Sequence, residues 1–431
     1  MLWLLFLFIM WLLCLLIADG YDLRVADDRV RITVRLLFAS LGVGVMYLLL
    51  FFVFARPALF IDDLSGHSPA LFDLKPPPRL IPVLWLSIGL LLLVIWRLIY
   101  IQLFTTPSLR RRAVIVGATT SGIALARDVR SVTKDYELVG FIDEDLTKYG
   151  KYIESLSVLG DHNVLLRLIE CHKVDEVIVA DPNTAEGALF EALTYCHEQG
   201  VYVKTMTQIY EDAFGQVSVE HLDPYWFLDA SNQQYPTLYR VFKRLMDIVV
   251  GLIGTIALLL FLPFIALAIA IDSPGPIFYR QERSGRGGKH FWVLKFRSMI
   301  ADAERRGQAR WAKEGDPRIT RVGKVLRRVR LDELPQFLNI LKGDMSVVGP
   351  RPERPQFVEQ LEQHIPFYRT RLSVKPGLTG WAQVCYRYGS SVEDALMKLK
   401  YDLYYIKKQS LLLDLLIIFR TIAVVLAFRG T

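Results

Sequence analysis

The chain has 431 residues, 52% of them hydrophobic and 12% aromatic, and a net charge of +7. The length points to two or three domains and the apolar excess to a membrane protein, while the positive balance favours anionic partners: lipid headgroups, phosphorylated small molecules or nucleic acid. Four scattered cysteines (Cys14, Cys171, Cys196, Cys385) form no CxxC pair and the seven histidines no HExxH spacing, which argues against a disulfide scaffold or a structural zinc site.

Three apolar segments come first, residues 1–17, 35–55 and 80–101, each near or above the roughly 18 residues a bilayer span needs. The first lacks the basic n-region and A-x-A site of a signal peptide. Arg24, Arg29, Arg31 and Arg35 follow it, and Arg110, Arg111 and Arg112 follow the third. The positive-inside rule puts the first loop and everything after residue 103 in the cytoplasm. Residues 1–103 are thus read as about three transmembrane helices.

Residues 104–222 read as a Rossmann-like α/β domain. "RAVIVGATTSGIALARDV" is a buried strand, a glycine turn and a helix; "YELVGFIDED" and "VDEVIVADP" are further strands. Thr119 stands at the middle glycine of G-x-G-x-x-G, between Gly117 and Gly122, so no NAD is expected here.

A linker over 223–240 leads to a domain spanning 241–431. Its residues 248–271 are uncharged and long enough to span, yet Arg240, Lys243 and Arg244 precede them and Arg280, Arg283, Arg286 and Lys289 follow. Both flanks prefer the same membrane face, and Pro263 inside the run removes a helix hydrogen bond. The expectation is a re-entrant helix broken at Pro263. Residues 277–330 then carry 16 Lys or Arg against 5 Asp or Glu, in short clusters between apolar residues. This suits a phosphate pocket at a membrane surface; no nucleic acid is expected, since stacking aromatics and recognition motifs are absent. The last apolar segment, "SLLLDLLIIFRTIAVVLAFRG", contains Asp414 and Arg420, which reads as an interfacial helix turning both to water.

"RLDELPQFLNILKGDMSVVGPRPE" sets Asp332 and Glu333 side by side. Local chemistry reads this as a helix start, with Asp332 as N-cap, Glu333 in the first turn and Pro335 tolerated early. A helix N-terminus would keep Asp332 ionised.

Together with "KRLMDI", "DSPGPIFYRQERSGRGGKHFWVLKFRSM", "DPRITRVGKVLRR", "VKPGLTGWAQV" and "KLKYDLYYIK", that stretch resembles the bacterial sugar transferases, the monotopic phosphoglycosyl transferases that start exopolysaccharide, O-antigen or capsule assembly. The whole chain looks like the large form of that family. The resemblance implies a mainly helical monotopic catalytic domain on the cytoplasmic face of the bacterial inner membrane. It implies transfer of a sugar 1-phosphate from a nucleotide diphosphate sugar, usually UDP-linked, to polyprenol phosphate. Asp332 matches the family's nucleophile, which forms an aspartyl phosphosugar intermediate, and Glu333 matches the residue that helps hold Mg²⁺, or Mn²⁺ in its place. Lys295, Arg327 and Arg351 match positions near the phosphates or nucleotide; Arg297, Lys375 and Gln383 extend that set. Arg297, Arg283 and Asp344 equally suit structural ion pairs, and Trp381 suits packing. Membrane lipids, other polysaccharide-assembly enzymes and a second copy of the chain are the further partners the setting allows.

Two departures stand out. Leu262-Pro263 stands where the family often has Ser-Pro, and three leading spans are found where the large form usually shows four. Two rival readings are a membrane-anchored nucleotide-sugar oxidoreductase using residues 112–222 and a non-enzymatic polysaccharide-assembly regulator. The first wants an intact glycine fingerprint and a Tyr-x-x-x-Lys pair, but "YEDAF" ends in Phe214.

Overall fold

The computed structural model describes residues 110–426 apart from 133–134, 173, 182–183, 220–221, 223–225, 227–235, 301–302, 304–315, 387–388 and 390; before them it describes only isolated residues and the apolar helix Ser87–Trp96. That helix falls in the third expected span. The span over 1–17 lies outside the described residues, as do nearly all of 35–55 and most of the 223–240 linker.

The α/β fold follows from its apolar runs. Strands β1 (Arg111–Val116), β2 (Tyr136–Ile142), β3 (Tyr152–Ile153), β4 (Leu156–Gly160), β5 (Glu176–Val179) and β6 (Tyr202–Thr205) form one sheet in the order β3-β4-β2-β1-β5-β6. The pairs β1–β5, β5–β6 and β2–β4 are parallel, and β3 joins β4 antiparallel. Helices α1 (Thr120–Val132), α2 (His162–His172) and α3 (Gly187–Glu198) connect the strands. Val114, Val116, Ile142, Leu165, Val177 and Leu193 share the core. Strands covered on both faces read as unbroken apolar runs, and each buried Val or Leu contributes about 1.5–3 kcal/mol. The expected strands at 112, 136 and 174 are therefore the sheet's centre. Gly122 is dictated by close approach: a Cβ there would lie 2.0 Å from the Gly117 carbonyl oxygen.

From β6 the chain enters a short helix α4 (Met206–Ile209) and a π-turn (Tyr210–Phe214). The long helix α5 (Thr237–Asp272) begins inside the stretch expected to be linker. A hairpin follows, β7 (Phe278–Ser284) with β8 (His290–Phe296). Next come α6 (Arg321–Arg328), α7 (Gln336–Lys342), β9 (Ser346–Val348) and α8 (Pro355–Glu362). Then β10 (Gly377–Thr379) pairs parallel with β9, ahead of α9 (Trp381–Cys385), α10 (Val392–Lys407) and α11 (Leu411–Leu426).

Two expectations change. Helix α5 runs as one helix through Pro263 instead of breaking there. Leu258 and Leu262 before the proline, and Ile265 and Ile269 after it, pack in one cluster with Phe296 and Leu326, so packing on both sides outweighs the lost hydrogen bond. Its opposite face is bare: Leu252, Ile253, Ile256, Leu259, Leu260 and Phe264 are each 50–70% exposed. Asp414 of α11 is fully buried rather than turned to water. Lys243 of α5 pairs with it at 2.9 Å, and the Tyr405 and Tyr239 hydroxyls donate to it at 2.8 and 3.1 Å. Arg420 is likewise part-buried, its guanidinium 5.2 Å from the Trp381 ring centre.

Candidate active site

Four local devices bring the site together. Asn339 on α7 accepts the Leu294 N–H and donates to the Trp292 carbonyl, pinning β8 and its Lys295 against α7. Gly323 lets α6 approach the backbone closely, since a Cβ there would lie 2.0 Å from the Ser298 carbonyl oxygen. Arg330, at φ +56°, reverses the chain into a 3-10 turn, Leu331–Glu333. The Gly349-Pro350-Arg351-Pro352 turn is laced to residues 377–379: Gly349 donates to the Thr379 carbonyl and Gly377 to that of Pro350. Arg283 donates to the Pro352 carbonyl at 2.9 Å and bears on Glu353 at 3.6 Å, bracing the turn from the hairpin.

Asp332 is not an N-cap. It sits in the 3-10 turn; the next helix starts at Gln336 with Pro335 in the cap position. Asp332 and Glu333 are both buried, 8% and 7% exposed, and their surroundings differ. Glu333 takes Arg351 at 2.6 Å and Lys295 at 3.1 Å on Oε1, with Arg330 at 3.8 Å from Oε2. The Asp332 carboxylate makes no hydrogen bond or ion pair among the described residues. Burial and the Glu333 charge push the Asp332 carboxyl above the usual carboxylate range, against Lys295, Arg327 and Arg351. This replaces the expected helix-dipole effect as the main influence on it. Burial acts the same way on Glu333, but Arg351, Lys295 and Arg330 outweigh it and hold that carboxyl well below its ordinary range. Burial also lowers the Lys295 ammonium, with Glu333 opposing.

Arg351 spends its other nitrogen on Gln383 Oε1 at 3.1 Å. Arg327 Nη1 and Gln383 Nε2 are buried donors without a partner among the described residues. Both lack an acceptor, as does Arg297 Nε at the end of α5. The structure thus gathers Asp332, Glu333, Lys295, Arg327, Arg351 and Gln383.

Two expected members fall elsewhere. Arg297 donates to the carbonyls of Ser273 and Pro274 at 2.5 and 2.9 Å, capping the C-terminal end of α5 instead of meeting a phosphate. Lys375 stands by the Gly343 turn, where its charged neighbours are Arg244, Asp247, Arg286 and Asp344. Asp344 pairs with Lys342 at 2.9 Å, as one of its two readings had it. Sequence reading missed Arg330 and the buried pair Arg371–Asp402 (2.8 Å), whose arginine also donates to the Arg351 carbonyl at 3.1 Å. The available signal was Asp402 itself, an acid one residue from Leu403 on a helix face otherwise aliphatic and aromatic. Breaking such a buried pair costs about 3–5 kcal/mol.

Residues 238–428 match the family model for bacterial sugar transferases, and residues 16–206 match one described as a CoA-binding domain. An Aeromonas hydrophila protein named UDP-N-acetylgalactosamine-undecaprenyl-phosphate N-acetylgalactosaminephosphotransferase is 43% identical, over 59% of this chain and 60% of that one. UDP-glucose:undecaprenyl-phosphate glucose-1-phosphate transferases are 36% identical in Xanthomonas campestris pv. campestris (62% of this chain, 56% of that one) and 43% identical in Caulobacter vibrioides (42% and 68%). The chain belongs to the bacterial sugar transferase family. It spans little more than half the length of the first two relatives, 60% and 56%. All the gathered site residues fall within the segment matched to the transferase family.

The glycine turn of the α/β unit is braced from the end of β2. Here the Ala118 N–H donates to Asp143 at 2.8 Å, and Lys148 pairs with the same carboxylate at 2.9 Å. Glu144, Asp161 and Asp181 follow the ends of neighbouring strands and add only negative charge.

Proposed function

We propose that this chain transfers a sugar 1-phosphate from a UDP-linked sugar to undecaprenyl phosphate, the first step of a surface polysaccharide. The observation that carries this is the contrast inside the acid pair: Glu333 engaged by three cations, Asp332 by none. Phosphoryl transfer asks for a positioned nucleophile and for cations that offset charge on the phosphates, with little else from the protein. An Asp332 oxygen attacks the phosphorus next to the sugar, and the bond to the other phosphate breaks, so that UMP leaves with the electron pair. A phosphate oxygen of the lipid then attacks the same phosphorus. That step restores the Asp332 carboxylate and leaves the sugar on a lipid diphosphate. Arg351, Lys295 and Arg327 hold the phosphate oxygens, and Gln383 keeps Arg351 in line.

Glu333 would hold Mg²⁺ or Mn²⁺, which would offset charge on the departing phosphate. Among the described residues no group of three or more His, Cys, Asp or Glu is poised for a metal. Glu333 nevertheless suits a metal that takes one or two carboxylates and completes its shell with substrate phosphates and water.

The proposed setting is the cytoplasmic face of the bacterial inner membrane, with α5 held from one side. Near its start, Asp247 accepts from Ser346 and Val347, and Arg244 donates to the Ile340 and Leu341 carbonyls. At its end, Arg297 caps the carbonyls and Asp272 accepts the Val322 N–H at 2.9 Å. The partners at both ends belong to the polar domain that carries the acid pair, so a simple crossing would divide that domain. The bare apolar face then lies against lipid.

The test uses membranes containing the intact protein and a panel of labelled UDP-sugars, without acceptor. About one equivalent of UMP per site is expected as the aspartyl intermediate forms. If none appears until undecaprenyl phosphate is added, transfer is direct and Asp332 acts as a base or metal ligand.

A further inference from the structure

The transferase family match begins at residue 238 and the match described as CoA-binding ends at residue 206. The stretch between them belongs to neither, yet it is built into the transferase core. Val217, Val219 and Trp226 are buried with Phe357, Val358, Leu361, Leu399 and Leu403. The Val217 N–H donates to the Lys400 carbonyl at 3.0 Å, and Gln216 donates to the Tyr401 hydroxyl at 2.7 Å.

Two contacts fix this stretch on the transferase part, and the second reaches the turn that carries Gln383. Glu211, 2% exposed, takes Lys407 at 2.7 Å and the Trp226 indole N–H at 3.2 Å. Gly215, held at φ +62° just after the π-turn, accepts the Trp381 indole N–H at 2.8 Å. A Cβ on Gly215 would lie 3.3 Å from the Trp381 ring, so the turn also fixes how close that ring comes. Trp381 opens α9, and two residues on Gln383 receives Arg351, which in turn holds Glu333. At its other end the strap is tied to the α/β unit: the Tyr210 hydroxyl donates to Asp128, and Lys204 bridges Glu176 and Asp212.

We propose that Tyr210–Val219 is a positioning strap of the transferase site, in which the Gly215 carbonyl sets the Trp381–Gln383 turn and, through it, Arg351, while the Glu211 carboxylate anchors the strap on Lys407 and Trp226. The proposal rests on the transfer reading above. It gives the α/β unit a part in donor binding that needs no cofactor. The strap governs where Arg351 waits for the diphosphate, so its loss is felt in the Michaelis constant for the UDP-sugar more than in the turnover number.

The experiment uses the full-length protein in membranes, with UMP release as the assay. Trp381→Phe keeps a ring and loses the N–H; it should raise the KM for UDP-sugar about two- to tenfold, the worth of one hydrogen bond, with kcat and the unfolding midpoint close to wild type. Glu211→Gln serves as a second variant and should move the same constant in the same direction. The decisive arm is a double-mutant cycle. In a Gln383→Ala background, Trp381→Phe should add nothing, because its route to Arg351 is already cut. An unchanged KM in both single variants, or effects that multiply in full in the double variant, overturns the strap. If wild type neither releases UMP nor binds any UDP-sugar, the transfer reading falls first and takes this inference with it.

Discussion

Asp143 in the α/β unit and Asp332 in the transferase part both sit at turns beside basic side chains. Asp143 accepts a backbone N–H at 2.8 Å and a lysine at 2.9 Å, so its charge is spent inside the fold. Asp332 is buried with cations close by and touches none of them, because Glu333 has drawn Arg351, Lys295 and Arg330 to itself. A carboxylate that closes its own crevice is architecture. One left unpaired among cations that a neighbour keeps in place suits the nucleophile of the proposed mechanism.

The hardest test of that contrast is a matched pair of substitutions. Asp332→Asn should cut UMP release at least about 10³-fold, the scale seen when a nucleophile is removed, while Asp143→Asn should leave turnover within about twofold. Comparable losses in both, measured in the same membranes, would erase the distinction. Arg351→Lys comes next. Arg351 serves Gln383 and Glu333 with two nitrogens at 3.1 and 2.6 Å, and a lysine cannot span both. The loss of one charged hydrogen bond predicts a drop of about 10- to 100-fold in kcat/KM. A lysine variant within twofold of wild type would reduce Arg351 to a bare charge.

The smallest effect concerns pH. On the proposed mechanism Asp332 must be ionised to attack, and its carboxyl is raised by burial and by the Glu333 charge. Single-turnover UMP release should therefore fall on the acid side, as pH drops through that raised value. Glu333→Gln removes the neighbouring charge and frees its cations, and both changes favour ionised Asp332. The acid limb should move to lower pH, whatever happens to the maximum rate. An unmoved limb would assign the titration to another group.

Much of the site was legible because its residues fall in short blocks: the acid pair, Lys295 in the second hairpin strand and Arg351 between two prolines. Arg297 misled because strand β8 ends at Phe296, and the arginine beyond it turns to cap helix carbonyls. A basic residue looks the same in sequence whether it meets a phosphate or a helix end. Asp414 misled for a different reason: its partner Lys243 lies 171 residues away, and no local pattern announces such a pair. The helix-cap reading of Asp332 failed on backbone geometry, since a left-handed Arg330 opens a separate 3-10 turn first. The three central α/β strands, β1, β2 and β5, were legible, as buried parallel strands carry their signal in unbroken apolar runs, whereas β3, β4 and β6 were not read. The strap carries no such signal, because its work is done by a glycine carbonyl and a buried glutamate.

The grip on both ends of the long helix also sets an order of events during synthesis. Asp247 waits for Ser346 and Val347, 99 and 100 residues downstream, and Lys243 for Asp414, 171 residues downstream. At about 5–20 residues per second, these partners of the helix's start begin to emerge roughly 5–20 s after that end does. Through that interval the helix meets the membrane with Arg240, Lys243 and Arg244 still unmatched at its start. Each costs about 2.5–3.5 kcal/mol to bring to the bilayer centre, which keeps that end at the surface where it emerged. On the proposed topology, the side on which the helix starts is decided before the domain that later grips it has been made.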